Sequence, residues 1–463
     1  MLTVNARLEE ERRAMTASPK TGDAGKREVP GRLPVLGHTA ALLRQRLAFT
    51  ARLSEYGPVV RVYLGGLPLH VVTTAELADR VLVDEVFEKG IFVDKLRRAF
   101  GDGLVSTNGD FHRRQRRMIQ PAFHRRFLVR YSETMTHLAG ELANSWRDGL
   151  PVHVDRAMQD LAISVVGRTL FSTDFDARIS AEVREHTPTL IRLGVVRALS
   201  PAVLERLPIR ANRRFDEAVS HVHRVVDEVI GSSRGDRDDL LSVLLSARDG
   251  DTDEPMGAQQ VRDHVVTLLT AGSETTGLAL SWLFHELARH PEVAERLHAE
   301  VDRVLDGRPA TIDDLRSLPY TRRVVDEVLR VYPLWLMLRR TAGAVRLGDV
   351  ELPAGAEVGF SPHALHHDPR YHDRPGEFDP DRWLPERAAT VPKGAYVPFA
   401  GGLHHCPGHA FAQMEIALVA ATIAARWRLV PVPGKPVRPK VIGLLYPNRL
   451  PMTAQSRSRS RWR

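Results

Sequence analysis

Residues 398–409 read Pro-Phe-Ala-Gly-Gly-Leu-His-His-Cys-Pro-Gly-His, and they include Cys406, the only cysteine among 463 residues. A single cysteine cannot form an internal disulfide, a four-cysteine iron–sulfur site or a cysteine-rich zinc site. It can be a buried inert thiol, a nucleophile or one thiolate ligand of a metal cofactor. Gly401, Gly402 and Gly408 lack side chains, which allows the backbone to approach a flat ligand closely. These glycines favour the ligand interpretation.

Pro407 follows the cysteine directly, and an apolar pattern continues from Ala410 onward. Proline has no backbone N–H and suits the first turn of a helix. We therefore expect a helix to begin beside Cys406. The partial positive charge of a helix N-terminus would favour the thiolate over the thiol.

Phe399, Gly402, Cys406 and Gly408 form the pattern Phe-x-x-Gly-x-x-x-Cys-x-Gly, which closely resembles the haem-binding loop of cytochromes P450. The resemblance implies a mainly α fold with a minor β region, formed as a single domain. It also implies haem b with the Cys406 thiolate as axial iron ligand, and places Phe399 and Gly408 against the haem. A buried cysteine on a glycine loop is the plainer alternative.

A zinc site made of His404, His405, Cys406 and His409 is a further alternative. Adjacent His404 and His405 do not easily face one ion, and zinc would leave the flanking glycines unexplained. The resemblance instead implies that His404, two residues before the cysteine, binds a haem propionate. It gives no role to His405 or His409, which we expect to be ordinary surface or loop histidines.

The chain exceeds the usual length of a single domain, yet no internal linker rich in Gly, Ser and Pro divides it. We predict a flexible N-terminal segment at 1–30, one haem-thiolate monooxygenase domain at 31–455 and a basic disordered tail at 456–463. The sequence has no run of about 18 uncharged apolar residues and no signal-peptide pattern. Together with the single cysteine, this predicts a cytoplasmic protein without a membrane span.

The formal net charge of +8 raises the question of a nucleic-acid partner. Basic residues are dispersed among acidic ones through most of the chain, and only the tail is a basic block. We predict no nucleic-acid partner. The alternative, a basic nucleic-acid-binding protein, would depend on the tail and would bind in a salt-dependent way.

Local patterns predict several elements around this loop. An amphipathic helix ends near Tyr56, and residues 59–64 and 70–73, separated by Gly65-Gly66, predict a β-hairpin. Residues 85–105 have no clear period, and the resemblance makes them a mobile loop over the substrate pocket. Residues 130–250 look helical with breaks. Residues 334–338 predict a strand that faces the pocket, and residues 443–446 its last wall.

His112 and Arg116 stand four positions apart, so that both point from one helical face. They resemble the family's Trp/His-x-x-x-Arg element, which implies that both bind haem propionates; Arg suits a carboxylate through a bidentate contact. Arg113, Arg114 and Arg117 belong to a solvated basic helix or to a docking surface for an acidic electron donor.

A helix from about residue 259 to 290 is predicted by an apolar stripe. Gly272 at its centre, beside the acid Glu274 and the β-branched alcohols Thr275 and Thr276, lowers helix propensity, and such inconsistency tends to mark function. The segment resembles the family's oxygen-binding groove. That likeness implies that Gly272 admits O₂ and that Glu274 and Thr275 deliver protons.

Glu327 and Arg330 lie three positions apart on one helical face, in an apolar surrounding. By resemblance they form a buried structural network with Arg382 beneath the cysteine loop. Arg339 matches a position that contacts a propionate, and Arg340 is the nearby alternative.

Together these motifs resemble those of the cytochrome P450 family, and the resemblance implies a haem-thiolate monooxygenase that uses O₂ and electrons from a ferredoxin and its NADPH-dependent reductase. The apolar pocket segments suggest a small hydrophobic substrate. Residues 112–123 and 378–389 are similar to actinobacterial sesquiterpene oxidases, which implies stepwise methyl oxidation of a terpene in antibiotic biosynthesis. A fatty-acid or macrolide hydroxylase is the alternative enzyme, and a haem sensor or electron carrier the alternative class.

Overall fold

The computed structural model describes residues 28–172, 177–198, 200, 202–232, 239–248, 253–434 and 436–457. Helices form most of the fold. The α-helices are Thr39–Arg44 (α1), Arg46–Arg52 (α2), Ala75–Val83 (α3), Ile91–Phe100 (α4), Gly109–Ile119 (α5), Arg125–Ser145 (α6), Val154–Leu170 (α7), Ala177–Ala198 (α8), Ala202–Glu205 (α9), Arg210–Ser232 (α10), Leu240–Ser246 (α11), Ala258–Arg289 (α12), Pro291–Leu305 (α13), Pro319–Val331 (α14), Pro362–His366 (α15), Pro385–Ala388 (α16) and His409–Ala424 (α17). Short 3₁₀ helices cover Leu53–Tyr56, Gln120–Phe123, Ile312–Ser317, Pro380–Trp383 and Gly402–His404.

The strands form small sheets at the side of the helices. They are Val59–Leu64 (β1), Leu67–Val72 (β2), Phe87–Lys89 (β3), Pro151–His153 (β4), Met337–Thr341 (β5), Val345–Leu347 (β6), Val350–Leu352 (β7), Glu357–Phe360 (β8), Trp427–Pro431 (β9), Pro439–Ile442 (β10), Leu444–Pro447 (β11) and Pro451–Ser456 (β12). Five strands form one sheet in the order β1-β2-β8-β5-β3. The pairs β1–β2 and β5–β3 are antiparallel, and β2–β8 is parallel.

The long helix α12 crosses the centre of the protein and packs closely on α7. Two glycines permit this approach: a Cβ at Gly277 would lie 3.0 Å from the Cα of Gln159, and one at Gly272 would lie 3.1 Å from Val166 Cγ2. Around them α12 is buried on most of its surface, including Trp282 at 1% exposure. Helix α17 is apolar and buried on all sides, as expected of a helix inside a large core.

Much of the predicted architecture is confirmed. The fold is mainly α with a minor β region; the hairpin forms with β2 starting at Leu67; and α12 spans Ala258–Arg289. Among the described residues, no helix is long and apolar enough to cross a membrane.

Three local predictions were wrong. Residues 85–105 contain β3 and α4 in place of an irregular loop; α4 has an amphipathic pattern because it buries Leu96, Ala99 and Phe100. Residues 334–336 precede β5, which begins at Met337. The helix after the cysteine begins at His409 with Gly408 as N-cap, so Pro407 lies outside it.

The predicted terminal segments lie largely outside the described residues. Some residues of these segments are described. Val29 is buried and its N–H donates to the carbonyl of Arg61 at 3.1 Å, and the backbone N–H of Arg457 donates to the Arg426 carbonyl. Folded structure therefore includes both of these positions. The flexible character predicted for 1–27 and 458–463 remains a prediction.

Candidate functional site

The cysteine loop is fixed by backbone contacts. The Cys406 N–H donates to the Phe399 carbonyl at 2.9 Å. Gly402 has φ +59°, and a Cβ there would collide with the backbone of Leu82 at the end of α3. Ala400 also has a positive φ, of 59°. The loop is thus tightly turned, and Gly402 serves its packing against α3, whereas the sequence had suggested a direct approach to a ligand.

The surroundings of Cys406 act on its thiol in opposite directions. Burial raises the pKa of Cys406, while the backbone N–H of Gly408 and the charge of Arg116 lower it. The net shift is upward. Helix α17 begins at His409, three residues after the cysteine, so the helix start is not directly beside Cys406 as predicted.

Four of the predicted cofactor-binding side chains converge near this loop. Arg116 Nη1 donates to the carbonyls of Leu403 and His405, at 3.3 and 2.6 Å, so that α5 holds the segment of the loop that directly precedes the cysteine. The His112 and His404 rings make an edge contact with centroids 4.7 Å apart. Burial lowers the pKa of His404, and the charges of nearby basic side chains, including Arg339 and Arg116, lower it further.

The structure distinguishes Arg339 from its neighbour Arg340. Arg339 is 6% exposed, donates to the Leu338 carbonyl, and keeps Nε without a hydrogen-bond partner among the described residues. Arg340 forms ion pairs with Glu357 at 2.6 Å and Asp94 at 2.7 Å. Arg340 is therefore already neutralised, and Arg339 is the available cation.

A further basic side chain at this site, Lys89, was not predicted from the sequence. It is 8% exposed, and its ammonium donates to the carbonyls of Leu104 and Thr107, both at 2.8 Å. Burial and the charges of Arg339 and Arg116 lower the pKa of Lys89 to about 7. Lys89 lies in residues 85–105, which show no clear period, so the sequence contained no signal for this position.

These side chains fit the haem that the resemblance implies. Buried cations without carboxylate partners are costly, and the Nδ1 atoms of His112 and His404 also lack partners among the described residues. A ligand with two carboxylates and an iron would neutralise the cations and supply hydrogen-bond partners for the unpaired atoms. Cys406 would hold the iron. The zinc alternative finds no support, because the described residues contain no group of three or more metal-ligating side chains.

Glu274 lies in the centre of α12 at 1% exposure. Gln159 Nε2 on α7 donates to its Oε2 at 2.7 Å, while Oε1 has no hydrogen-bond partner among the described residues. Burial raises the pKa of Glu274 to about 7, against the opposing effects of Tyr446 and Gln159. The carboxyl can therefore hold or release a proton near neutral pH.

Thr275 and Ala271, one turn apart, are exposed although the residues around them in α12 are largely buried. They therefore border an accessible space within the fold. The Thr275 hydroxyl donates to the Ala271 carbonyl at 2.7 Å. Gly272 turns instead toward Val166 of α7, which gives this glycine a packing reason; its role in admitting O₂ remains a prediction.

Beside this segment, Glu415 was missed, and Tyr446 was predicted only as part of a pocket wall. Thr276 Oγ1 lies 2.8 Å from the Gly272 carbonyl and 3.3 Å from Glu415 Oε1 on α17. Burial raises the pKa of Glu415 to about 8. The Tyr446 hydroxyl on β11 is buried beside Glu274, outside hydrogen-bond geometry, and has no partner among the described residues.

The predicted network assembles below the loop. Glu327 and Arg330 are fully buried and form a bidentate pair, at 2.8 and 2.9 Å. Arg382 Nε lies 3.5 Å from Glu327 Oε1, and Trp383 Nε1 donates to Oε2 at 3.0 Å. Each carboxylate oxygen of Glu327 thus accepts more than one hydrogen bond.

His366 links this network to the cysteine loop and was also missed. Its Nδ1–H faces the Arg330 carbonyl at 3.1 Å, and its Nε2 accepts from the N–H of Val397 at 2.9 Å. Val397 lies two residues before Phe399. The sequence offered four nearby histidines without a reason to choose among them.

An open cleft of about 670 Å³ lies elsewhere, between α6 and residues 309–313. It contains none of the predicted site residues. The candidate site is therefore the region between the cysteine loop, the cationic side chains and the centre of α12.

Comparison with known proteins agrees with this geometry. A family model described as Cytochrome P450 matches residues 28–453. Cyclooctat-9-en-7-ol 5-monooxygenase of Streptomyces melanosporofaciens is 43% identical, over 92% of this chain and 95% of the relative. Cyclooctatin synthase of the same organism is 41% identical, over 89% and 91%. Pentalenene oxygenase of Streptomyces avermitilis is 39% identical, over 93% and 97%. The predicted likeness to actinobacterial terpene oxidases is confirmed.

Proposed function

The chain belongs to the cytochrome P450 family, and from that premise we propose that it is a haem-thiolate monooxygenase that inserts one oxygen atom into a C–H bond of a cyclic terpene. The observation that carries the proposal is the cysteine loop held between Arg116 and the Glu327 network, with the basic side chains Lys89, Arg116 and Arg339 and a buried acid around it. The reaction consumes the substrate, O₂, two electrons and two protons, and yields the oxygenated substrate and water.

The substrate class rests on the relatives. Cyclooctat-9-en-7-ol 5-monooxygenase and pentalenene oxygenase carry names that specify a cyclic alkenol and pentalenene. Their identities to this chain, 43% and 39%, are too similar to choose between these substrates. We propose a terpene hydrocarbon or mono-alcohol, with pentalenene-like methyl oxidation as one member of that class.

Cys406 would hold the iron, and His112, Arg116, Arg339 and His404 would bind the two propionates. When bound, haem supplies the activation of O₂, to which an axial thiolate contributes electron density. The protein fixes the sulfur through the Cys406 N–H to Phe399 bond and the contacts of Arg116. Phe399 and Gly408 would complete the walls of the haem site.

Proton delivery is assigned to Glu274 and Thr275 in this proposal. Glu274 Oε1, which has no other partner among the described residues, is the atom that would hold the proton. Its neutral hydrogen-bond donor Gln159 would stabilise the carboxylate once the proton has left. The Thr275 hydroxyl, in the accessible space next to it, would orient the proton toward the oxygen being reduced.

Electrons would come from a ferredoxin and its NADPH-dependent reductase. Helix α5 carries Arg113, Arg114 and Arg117, and the same helix reaches the cysteine loop through Arg116. An acidic carrier docked on α5 would therefore approach the sulfur side of the haem, where its arrival is steered by charge. A cytoplasmic location would provide these donors.

The test uses purified, haem-loaded protein with a ferredoxin, its reductase and NADPH. Cyclooctat-9-en-7-ol, pentalenene, a fatty acid and a macrolide are offered separately, and products are identified by mass spectrometry. We expect a terpene product that carries one added oxygen atom, and displacement of water from the iron in the absorption spectrum. Turnover of only the fatty acid or the macrolide would reject the terpene assignment.

Two controls examine the monooxygenase itself. The reduced protein with carbon monoxide should show the red-shifted Soret band of thiolate-ligated haem, and Cys406→Ser should lose it. Haem-loaded wild type without that band would overturn the ligand assignment. Normal spectra without donor-dependent turnover of any substrate would favour a haem sensor or an electron carrier.

A further inference from the structure

Two buried cations face each other directly across a strand pair. Lys89 ends β3 and is the register partner of Arg339 on β5. Directly opposed residues of antiparallel strands have their Cβ atoms about 5 Å apart, and like charges there are destabilising. Lys89 is 8% exposed and Arg339 is 6% exposed, so water screens little of this repulsion.

The surrounding side chains do not neutralise this pair. Lys89 donates to two uncharged carbonyls, of Leu104 and Thr107, which leaves its third N–H. Glu88, the residue before Lys89 on β3, lies opposite Arg340 on β5. The acid nearest in the sheet, Glu357, pairs with Arg340 at 2.6 Å, and neither Lys89 nor Arg339 forms an ion pair with a described carboxylate.

Lys89 is also held firmly in this position. Its N–H donates to Asn108 Oδ1 at 3.0 Å, and Asn108 Nδ2 donates back to its carbonyl at 3.2 Å. Asn108 is the N-cap of α5, the helix that carries His112 and Arg116. The lysine is thereby built into the same rigid unit as the predicted propionate-binding residues.

We propose that Lys89 is a further cofactor-binding residue and binds, together with Arg339, one carboxylate of the haem; this rests on the proposed haem-binding function. An anion between the two cations removes their repulsion and accepts a charge-assisted hydrogen bond from the lysine. Burial and the neighbouring arginines lower the pKa of Lys89 to about 7, a shift that an added carboxylate would reverse.

Lys89→Gln tests this assignment because glutamine keeps N–H donors for Leu104 and Thr107 but carries no charge. Haem release from the full-length holoprotein is measured by transfer to apomyoglobin, once with natural haem and once with haem whose propionates are esterified. We expect Lys89→Gln to speed the release of natural haem roughly ten- to hundredfold, as for one hydrogen bond to a charged group. The release of esterified haem should scarcely change.

Lys89→Arg should restore slow release of natural haem, and the exposed-site variant Lys393→Met should leave both rates unchanged. Equal acceleration for natural and esterified haem would show that Lys89 acts only on the fold and would overturn the proposal. An unchanged rate for natural haem would overturn it too. A wild-type protein that takes up no haem would instead refute the proposed function, which keeps the two failures distinguishable.

Discussion

The side-chain amide of Gln159 lies 2.7 Å from Oε2 of Glu274 and joins α7 to the centre of α12. Glu274 is 1% exposed, and none of the ion pairs among the described residues involves it. Among the described residues, its surroundings therefore supply one neutral donor, Gln159, in place of a counter-charge. This leaves its proton affinity under the control of burial and of two groups, Gln159 and Tyr446.

The pH at which turnover falls should depend on the hydrogen bond that Gln159 donates to Glu274. Its amide favours the ionised carboxylate, so Gln159→Leu should raise the pKa of Glu274 above the present value of about 7. If the protonated acid is the active form, product formed per electron falls as the pH rises through this pKa. In Gln159→Leu the fall should occur at higher pH, measured from pH 6 to 9 with the same electron donors.

The exposed-site variant Gln120→Leu should keep the wild-type profile. Glu274→Gln should lose this step in the profile altogether, together with much of its product yield. An unchanged midpoint in Gln159→Leu would contradict the assignment of the step to Glu274.

Glu274 should also make folding stability depend on pH. Its pKa is about 7 in the fold against 4.5 in the reference state. Below pH 4.5 both states are protonated. Between 4.5 and 7 the unfolded chain releases the proton while the fold retains it, so the carboxyl destabilises the fold progressively, and fully above 7. At about 1.4 kcal/mol per pKa unit, Glu274→Gln should stabilise the protein by roughly 3 kcal/mol at pH 8.5.

The measurement is the unfolding midpoint of both proteins at pH 5 and pH 8.5. The difference between variant and wild type should be much smaller at pH 5. The same substitution at exposed Glu351 should have no such pH dependence. A difference of equal size at both pH values would mean that packing, and not ionisation, sets the effect.

The buried pair of Glu327 and Arg330 should be essential to stability. Both side chains are fully buried, and Glu327→Gln would leave the charges of Arg330 and Arg382 uncompensated. Removing one partner of a buried pair costs about 3–5 kcal/mol. Urea unfolding of the variant should show a loss of this size, whereas Glu386→Gln at an exposed position should be neutral. A neutral result for Glu327→Gln would argue that water or a neighbouring group replaces the carboxylate.

The sequence revealed contacts that are local and missed those that depend on distant packing. The cysteine loop and the Glu327–Arg330 pair were recognisable because their residues stand at short, fixed spacings. Lys89 became significant only through its register with Arg339, 250 positions later in the chain. Gln159 gained its role from the packing of α7 on α12, which a single sequence does not specify.

Gly272 shows a different limit of sequence reasoning. Its low helix propensity correctly indicated an unusual place in α12, but the nearest atom to a Cβ there is Val166 Cγ2 at 3.1 Å. The same anomaly is produced by close helix packing and by ligand access, so the sequence identified the position without its cause. The same two causes, close packing and ligand access, are possible for the glycines of the cysteine loop. Substitution of each glycine can distinguish between them.

Gly402→Ala and Gly408→Ala should impair different properties of the protein, namely folding stability and haem binding. Gly402 has φ +59° and faces the backbone of Leu82, so alanine there should destabilise the protein with or without haem. Gly408 has φ −87°, and its Cβ would lie 3.7 Å from Phe123, an ordinary contact. Gly408→Ala should therefore keep the stability of the apoprotein and weaken only haem binding.

Thermal unfolding of the apoproteins and haem-release rates provide the two readouts. Gly376→Ala, which has open space around its Cβ, is the matched control. Normal haem release from Gly408→Ala would remove Gly408 from the cofactor-binding residues.

The exposed Arg117 on α5 should assist the electron donor. Because Arg116 on the same helix contacts the carbonyls of Leu403 and His405, charge at Arg117 lies on the surface next to the cysteine loop. Arg117→Glu should slow haem reduction by an acidic ferredoxin roughly tenfold at low ionic strength, and the effect should fade as salt screens the charge. Stopped-flow reduction under carbon monoxide at several salt concentrations measures this rate. The exposed-site variant Arg316→Glu should match wild type throughout, and a comparable slowing by it would place the donor elsewhere, because net charge alone would then explain the result.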